Sequence, residues 1–405
     1  MKTTRRYAAG LAAVVTTAAA LLAATGLGAG VAGASTFPAF VGPLHHVTKL
    51  ASTVPANGDV NPYGVAVVPR STGRLHQDNI LVSNFNNKAN VQGTGTTIVQ
   101  ITPRGHVSLF AKVSPHLRGC PGGVGLTTAL TVLRSGWVIV GSLPTKGGSV
   151  SGSGCLIVLD RWGHVRETFT GRGINGPWDM TSADFGKVAA LFVTNVLNGT
   201  VAAKGKIVHR GTVIRLLLIV PPGRLPFILR SDRIGSGFAE HLDPAALVIG
   251  PTGVGLGRNG TLYVADTVAN RIAAIPHALF RVTDAGRGAT VSRGHALNGE
   301  LGLVVAPGGD ILTVNSGDGN LVEVTPSGFQ IAVRTLDSSG SPPGAGALFG
   351  LAVKPFHRAV YFVDDATNTF ELLHCPTAVA RWSRPGGTSA PVIFAAETSC
   401  AYAIS

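Results

Sequence analysis

Leu262-Tyr-Val-Ala-Asp266 decides how the chain is read, because the same short shape returns along it. The copies are Ile80-Leu-Val-Ser-Asn84, Val138-Ile-Val-Gly-Ser142, Leu191-Phe-Val-Thr-Asn195, Ile311-Leu-Thr-Val-Asn315 and Val360-Tyr-Phe-Val-Asp364. Each is an apolar run ending in a small polar residue. Upstream of each lies a second apolar strand, opened by Asn61-Pro-Tyr-Gly64, Leu126-Thr-Thr128, Gly176-Pro-Trp-Asp179, Gly250-Pro-Thr-Gly253, Gly299-Glu-Leu-Gly302 and Leu348-Phe-Gly350. Turns such as Arg258-Asn259-Gly260 and Pro307-Gly308-Gly309-Asp310 join the two strands as tight hairpins. A third strand follows in every unit, for example Thr97-Ile-Val-Gln-Ile101 and Leu321-Val-Glu-Val324, and a fourth is visible in several, as in His106-Val-Ser-Leu-Phe-Ala111.

Units of four antiparallel strands, repeated about every fifty residues, are the blades of a β-propeller. One four-stranded sheet cannot bury both of its faces; six in a ring cover one another and leave only protected edges. The expected fold is therefore all-β, a six-bladed propeller with blades near 61–111, 124–168, 176–232, 250–296, 299–334 and 348–396. The third unit is lengthened by Val201–Arg210 and by an expected short helix around Phe238–Leu247. A further insertion runs from His277 to Ala296. Either His46-Val-Thr-Lys-Leu50 or Pro391-Val-Ile-Phe394 supplies the strand that closes the ring.

Pro251-Thr-Gly-Val-Gly255, Gly260-Thr-Leu-Tyr-Val-Ala-Asp266 and Asn270-Arg-Ile272 together resemble the NHL repeat, with its P-x-G start and its Y-V-A-D…N-R centre. The blades around Gly302, Asp310–Asn315 and Phe349–Asp365 are similar but degenerate, and the first three are looser. The resemblance implies the propeller firmly and an activity hardly at all, because such propellers include binding modules, lyases and sensor domains. The lyases of that kind, and the similar gluconolactonase-type propellers, centre a metal on a His or Glu, Asn and Asp set. Asn61-Pro-Tyr-Gly64 carries no Glu in the matching place.

Ahead of the repeats stand Lys2, Arg5 and Arg6, an Ala-, Val- and Leu-rich stretch, and Ala32-Gly33-Ala34 before Ser35. A basic start, an apolar middle and an A-x-A site are the parts of a secretory signal, so 1–34 reads as a signal peptide and 35–405 as one propeller domain. The protein is expected outside the cytoplasm, secreted or in the cell envelope, as a monomer that meets the membrane only through an uncleaved leader. The formal charge of +13 falls by three when the leader is removed. The excess favours anionic wall polymers, lipid surfaces or acidic polysaccharides. Nucleic acid is excluded as a partner because no aromatic–basic module appears. Four cysteines in an exported chain read as two disulfides, Cys120–Cys155 and Cys375–Cys400 closing the shortest loops.

Chemical motifs are few. Gly255-Leu-Gly-Arg-Asn-Gly260 matches G-x-G-x-x-G, but a strand follows it rather than a helix, so it offers no pyrophosphate cradle. No G-x-S-x-G, H-E-x-x-H or Walker sequence occurs. His45 and His46 are neighbours on a strand and point to opposite faces, so they cannot chelate one ion.

Topology supplies the functional expectation. In a blade, the start of the first strand and the end of the second meet at one mouth of the central channel. The six second-strand ends, Asn84, Ser142, Asn195, Asp266, Asn315 and Asp364, are expected there beside Tyr63, Trp178 and Phe349. Such a rim suits a glycan, another polyol-like small molecule, or a hard cation such as Ca²⁺. Three functions follow: a binding protein for a cell-envelope or carbohydrate-like ligand; a metal-dependent lyase or lactonase using Asp266 and Asp364; or a protein–protein scaffold.

Overall fold

The apolar runs of the second strands are continuous rather than alternating because those strands are covered on both faces. Ile80–Asn86, Val138–Ser142, Leu262–Asp266, Ile311–Asn315 and Val360–Asp364 are buried at every position. Outer strands alternate instead, as in Gln330–Thr335, with one face on the neighbouring blade and one in solvent. The computed structural model describes residues 39–146 and 149–375, and the backbone alone of 378–380 and 394–396.

Six antiparallel sheets follow in chain order. Blade one is Val60–Val67, Ile80–Asn86, Thr97–Ile101 and Val107–Lys112; blade two is Leu130–Val132, Val138–Ser142, Cys155–Leu159 and Val165–Phe169. Blade three has the long strands Pro177–Asp184, Val188–Asn195, Val208–Ile219 and Phe227–Asp243, with Leu247–Ile249 as a fifth. Blade four is Pro251–Leu256, Leu262–Asp266, Arg271–Ile275 and Ala289–Arg293; blade five is Glu300–Val305, Ile311–Asn315, Asn320–Val324 and Gln330–Thr335. Blade six takes Leu348–Val353, Val360–Asp364 and Thr369–His374 from the end of the chain and His46–Ser52 from its beginning. The fold is the expected six-bladed propeller.

The ring closes through the N-terminal strand, so blade six does not extend to 396. Phe394–Ala396 pairs with Ala378–Ala380 in a separate hairpin. Closure is anchored by Phe40 and Val41, whose N–H groups donate to the buried Glu323 carboxylate at 2.5 and 2.8 Å, while Phe40, Val41 and Leu44 bury their side chains.

Two local expectations are corrected. Phe238–Leu247 is not helical: its first residues pair with the start of the third strand, Ala239 opposite His209 and Glu240 opposite Val208, and the ladder overrides local helix preference. The His277–Ala296 stretch is only partly an insertion, since Ala289–Arg293 is the outer strand of blade four.

The core is distributed around the ring. One buried cluster fills each blade–blade interface, such as Leu81, Ile98 and Phe110 against Val138 and Ile157, or Val82 and Val99 against Tyr361 and Phe370. Backbone contact completes it at the channel. The ladder between first and second strands is interrupted in five blades by a bulge, at Pro62/Val65, Pro177/Met180, Pro251/Val254, Glu300/Leu303 and Leu348/Leu351. The bulge brings the glycine of each P-x-G-like start against the next blade. A Cβ on Gly350 would stand 1.8 Å from the Tyr63 carbonyl oxygen, and one on Gly302 would stand 2.1 Å from that of Phe349. Only glycine fits so close an approach.

Cys120 and Cys155 are bonded, with Cα atoms 5.3 Å apart, as expected. The expected Cys375–Cys400 pairing involves Cys400, which lies outside the described residues, as do residues 1–34, the expected signal peptide. Among the described residues, no helix is long and apolar enough to cross a membrane.

Candidate functional site

The bulges turn the residue before the glycine position (Asp179 in blade three) toward the mouth of the channel. Tyr63, Trp178 and Phe349 all occupy that position, and with Phe85 they form an aromatic floor. Ring centroids lie 5.2 Å apart for Tyr63–Phe349, 5.9 Å for Tyr63–Trp178 and 6.1 Å for Phe85–Phe349, the tilted and edge-to-face spacings that aromatic pairs prefer. The Trp178 Nε1–H donates to the Tyr63 hydroxyl at 2.7 Å and locks both rings. Burial, with the charge of Asp179, pushes the Tyr63 phenol well up, so it stays a neutral donor.

Above this floor is a cavity of about 390 Å³. Its wall includes Leu126, Thr128 and Leu301, and its polar groups are Asn61, Gln92, Asp243, Ser316 and Asp365. The stretch after the outer strand of blade three reaches over it. Asp243 turns the chain by accepting the N–H groups of Ala245 and Ala246, both at 2.8 Å. Gln92 of blade one then donates to the Ala245 carbonyl at 2.6 Å, tying the roof to the far side.

Asp365 is the unusual group. Its Oδ2 accepts from Asn61 Nδ2 at 3.1 Å, whereas its Oδ1 is covered and meets no hydrogen-bond partner. Burial, and then the charge of Asp364, pushes its carboxyl up to about 8. At neutral pH it is mostly an uncharged acid, able to donate a proton into a hydrogen bond. Asn61, with φ of 59°, is held by its own N–H to Asn368 Oδ1 at 2.7 Å.

The six second-strand ends are buried, yet none lines the cavity. Four of them fasten the connection entering their own blade. Asn84 Nδ2 donates to the Thr53 carbonyl at 2.8 Å, and Asn315 Nδ2 to that of Ala296 at 2.7 Å. Ser142 Oγ accepts from Gly125 N–H at 2.9 Å, and Asn195 Oδ1 from Asn175 N–H at 3.0 Å. Asp266 Oδ2 meets Arg271 Nη2 at 2.7 Å, both side chains buried. Asp364 Oδ1 accepts from Thr367 N–H at 3.0 Å.

Strand alternation accounts for this. The residue one step later faces the mouth: Phe85, Ser316 and Asp365 line the cavity, and Leu143 and Val196 join the apolar cluster around it. Asp365 stands a single register step beyond the expected Asp364, and the pleat alone is the signal that places it; Asn61 comes from the opening of the first strand of blade one, two residues before Tyr63.

Below the floor, the inner strands enclose a channel space of about 290 Å³. Asp179, standing where four other blades have glycine, accepts there from Val254 N–H of blade four at 3.2 Å and is pushed up to about 7 by burial.

A metal of the lactonase kind does not fit these residues. Among the described residues no three His, Cys, Asp or Glu side chains converge on one point; the mouth offers Asp365 beside Asn61, and Asp243, whose Oδ1 is taken by the N–H groups of Ala245 and Ala246. A hard cation asks for six to eight oxygens, several of them anionic.

No protein-family model matches the sequence, and no curated protein matches it. Among solved structures, the chain is similar to a gluconolactonase from Xanthomonas campestris, at 12% identity and a TM-score of 0.51, covering 82% of this chain and 89% of that one. A catalytically inactive virginiamycin B lyase from Staphylococcus aureus with quinupristin matches at 13% identity and 0.48, over 82% and 99%. The calcium-binding regucalcin from Agrobacterium tumefaciens matches at 13% and 0.47, over 80% and 93%. The likeness is one of fold.

Proposed function

We propose that the protein is an exported, NHL-like binding module whose channel mouth takes a small, neutral, hydroxyl-bearing ring compound of the carbohydrate kind. The observation that carries this reading is the roofed cavity itself, with an aromatic floor and with Asn61, Gln92 and the Asp365 carboxyl in its lining. Binding sites of this size are mostly apolar, with a few polar groups that fix orientation. Sugar rings present apolar faces to aromatic side chains, and hydroxyls to a neutral acid and to amides such as Asn61 and Gln92. The Cys120–Cys155 bond supports an oxidising compartment outside the cytoplasm.

A metal-dependent lactonase or lyase is the second reading, favoured by the raised carboxyl of Asp365, which suits a general acid. The donor set gives Ca²⁺ too little to hold, so no step is routed through it. Titration of neutral mono- and disaccharides, followed by Trp178 fluorescence and by calorimetry with and without chelator, separates the readings. Saturable, chelator-insensitive binding that weakens about ten-fold in Asp365→Ala is expected, the cost of one lost hydrogen bond to a buried partner. Binding that vanishes with chelator, or lactone turnover, moves the assignment to the enzyme. A mouth silent to the whole panel, with a co-purifying envelope protein, moves it to a scaffold.

A further inference from the structure

The end of the ring away from the mouth carries a second surface feature. There lie the connections between first and second strands and between third and fourth. Every exposed aromatic side chain among the described residues sits on one of them. Phe185 (66% exposed) and Phe356 (78%) are in first-to-second turns of blades three and six. Trp162 (48%), Phe227 (48%), Phe280 (84%) and Phe329 (71%) are in or beside third-to-fourth connections of blades two to five. The mouth end exposes no aromatic ring among the described residues. Chance placement on both ends would not give this division.

Basic residues share those turns. Arg104, Arg134, Arg161, Lys187, Arg224 and Arg258 are all exposed there. Acids beside them are engaged: Asp160 with Arg166 at 3.2 Å, Asp284 with Arg233 at 2.8 Å, and Asp184 with the N–H groups of Arg134 and Gly186 at 2.6 and 2.7 Å. The face is thus a set of separate aromatic tips, one or two per blade across five blades, with cations between them.

We infer that this face docks on an anionic lipid surface, with the mouth pointing away from the membrane. Hairpin tips at one end of a ring lie near one plane, which suits a flat partner. Single rings spaced around a ring match the interfacial zone of a bilayer, where aromatic side chains sit among headgroups while Arg and Lys meet anionic lipid. A soluble polyanion would use the cations and leave the rings in water. The inference is independent of what the mouth binds.

The test uses the chain beginning at Ser35, because Pro38–Ser405 is a compact unit by itself and an apolar leader would seek lipid on its own account. Co-sedimentation compares phosphatidylglycerol–cardiolipin vesicles with phosphatidylcholine vesicles, at low and high salt. Preference for the anionic vesicles of about ten-fold or more is expected, weakening with salt. The triple variant Phe280→Ser, Phe329→Ser, Phe356→Ser should lose about ten-fold in partitioning with its melting temperature and mouth-ligand binding unchanged. Brominated lipid should quench part of the tryptophan emission, and Trp162→Phe should remove that part. Equal binding to both vesicle types, full binding by the triple variant, or retention by heparin with none by vesicles would each overturn the inference.

Discussion

Replacing Asp365 by Asn should stabilise the protein, and the gain should depend on pH. Unfolded, this carboxyl ionises near the ordinary aspartate value; folded, it does so at about 8. Because the folded value is the higher one, its stability contribution is whole below about pH 4 and is lost as pH rises toward 8, where the unfolded chain gains from ionising and the folded chain cannot. That window spans roughly four pH units at about 1.4 kcal/mol each, an upper bound near 6 kcal/mol; partial exposure of the residue and solvent screening reduce it to about 2–3 kcal/mol. Asn keeps an oxygen for Asn61 Nδ2 and carries no charge at any pH. Urea unfolding of parent and Asp365→Asn should give nearly equal stabilities at pH 4, a gap opening through pH 5–7, and a plateau near pH 8. Parallel curves from pH 4 to 9 would refute the reasoning, since they would mean that the carboxylate is ionised and solvated in the cavity.

Gly350→Ala should destabilise by about 3 kcal/mol or more, because the obstacle 1.8 Å from the new Cβ is backbone of blade one and cannot swing aside; thermal melting checks it, and a change under 1 kcal/mol would contradict the blade contact. Asp266→Asn should cost about 3–5 kcal/mol by leaving Arg271 buried without its countercharge. The loss should be the same with Ca²⁺ or chelator, which separates an ion-pair role from a metal-ligand role; a loss seen only with Ca²⁺ present would restore the latter.

The blades were legible because burial on both faces forces the second strands into continuous apolar runs, a local and repeated signal. Ring closure was not. His46–Leu50 and Pro391–Phe394 are equally good strands, and the choice is made by partners far away in sequence, with Glu323 gripping Phe40 and Val41 before His46–Ser52 reaches Thr369–His374. Non-local pairing of that kind leaves no mark in a local window. The roof was misread for a related reason. Phe238–Leu247 lacks a strong strand pattern of its own and becomes strand only because Val208–Gly211 is there to pair with it.

Tyr63, Trp178 and Phe349 line the mouth cavity, and the second-strand residues that line it stand one step after the expected strand ends; that single step changes the chemistry of the site. Had the strand ends faced the channel, the ring would have offered Asp266 and Asp364 among three amides and a hydroxyl, a set suited to a cation. One step on, the sequence is Phe85, Leu143, Val196, Thr267, Ser316 and Asp365. Thr267 spends its hydroxyl on the Glu300 carbonyl at 2.7 Å, and three of the others are apolar. Only Asp365 can ionise, and its surroundings keep it from doing so at neutral pH. Four of the polar strand ends meanwhile satisfy backbone groups of the incoming connections, which an apolar residue there would strand in the interior. Both alternations thus serve the same geometry: polarity goes where the chain must be fastened, and the face that the second strands leave to the channel mouth is mostly apolar, with Asp365 as its one ionisable group.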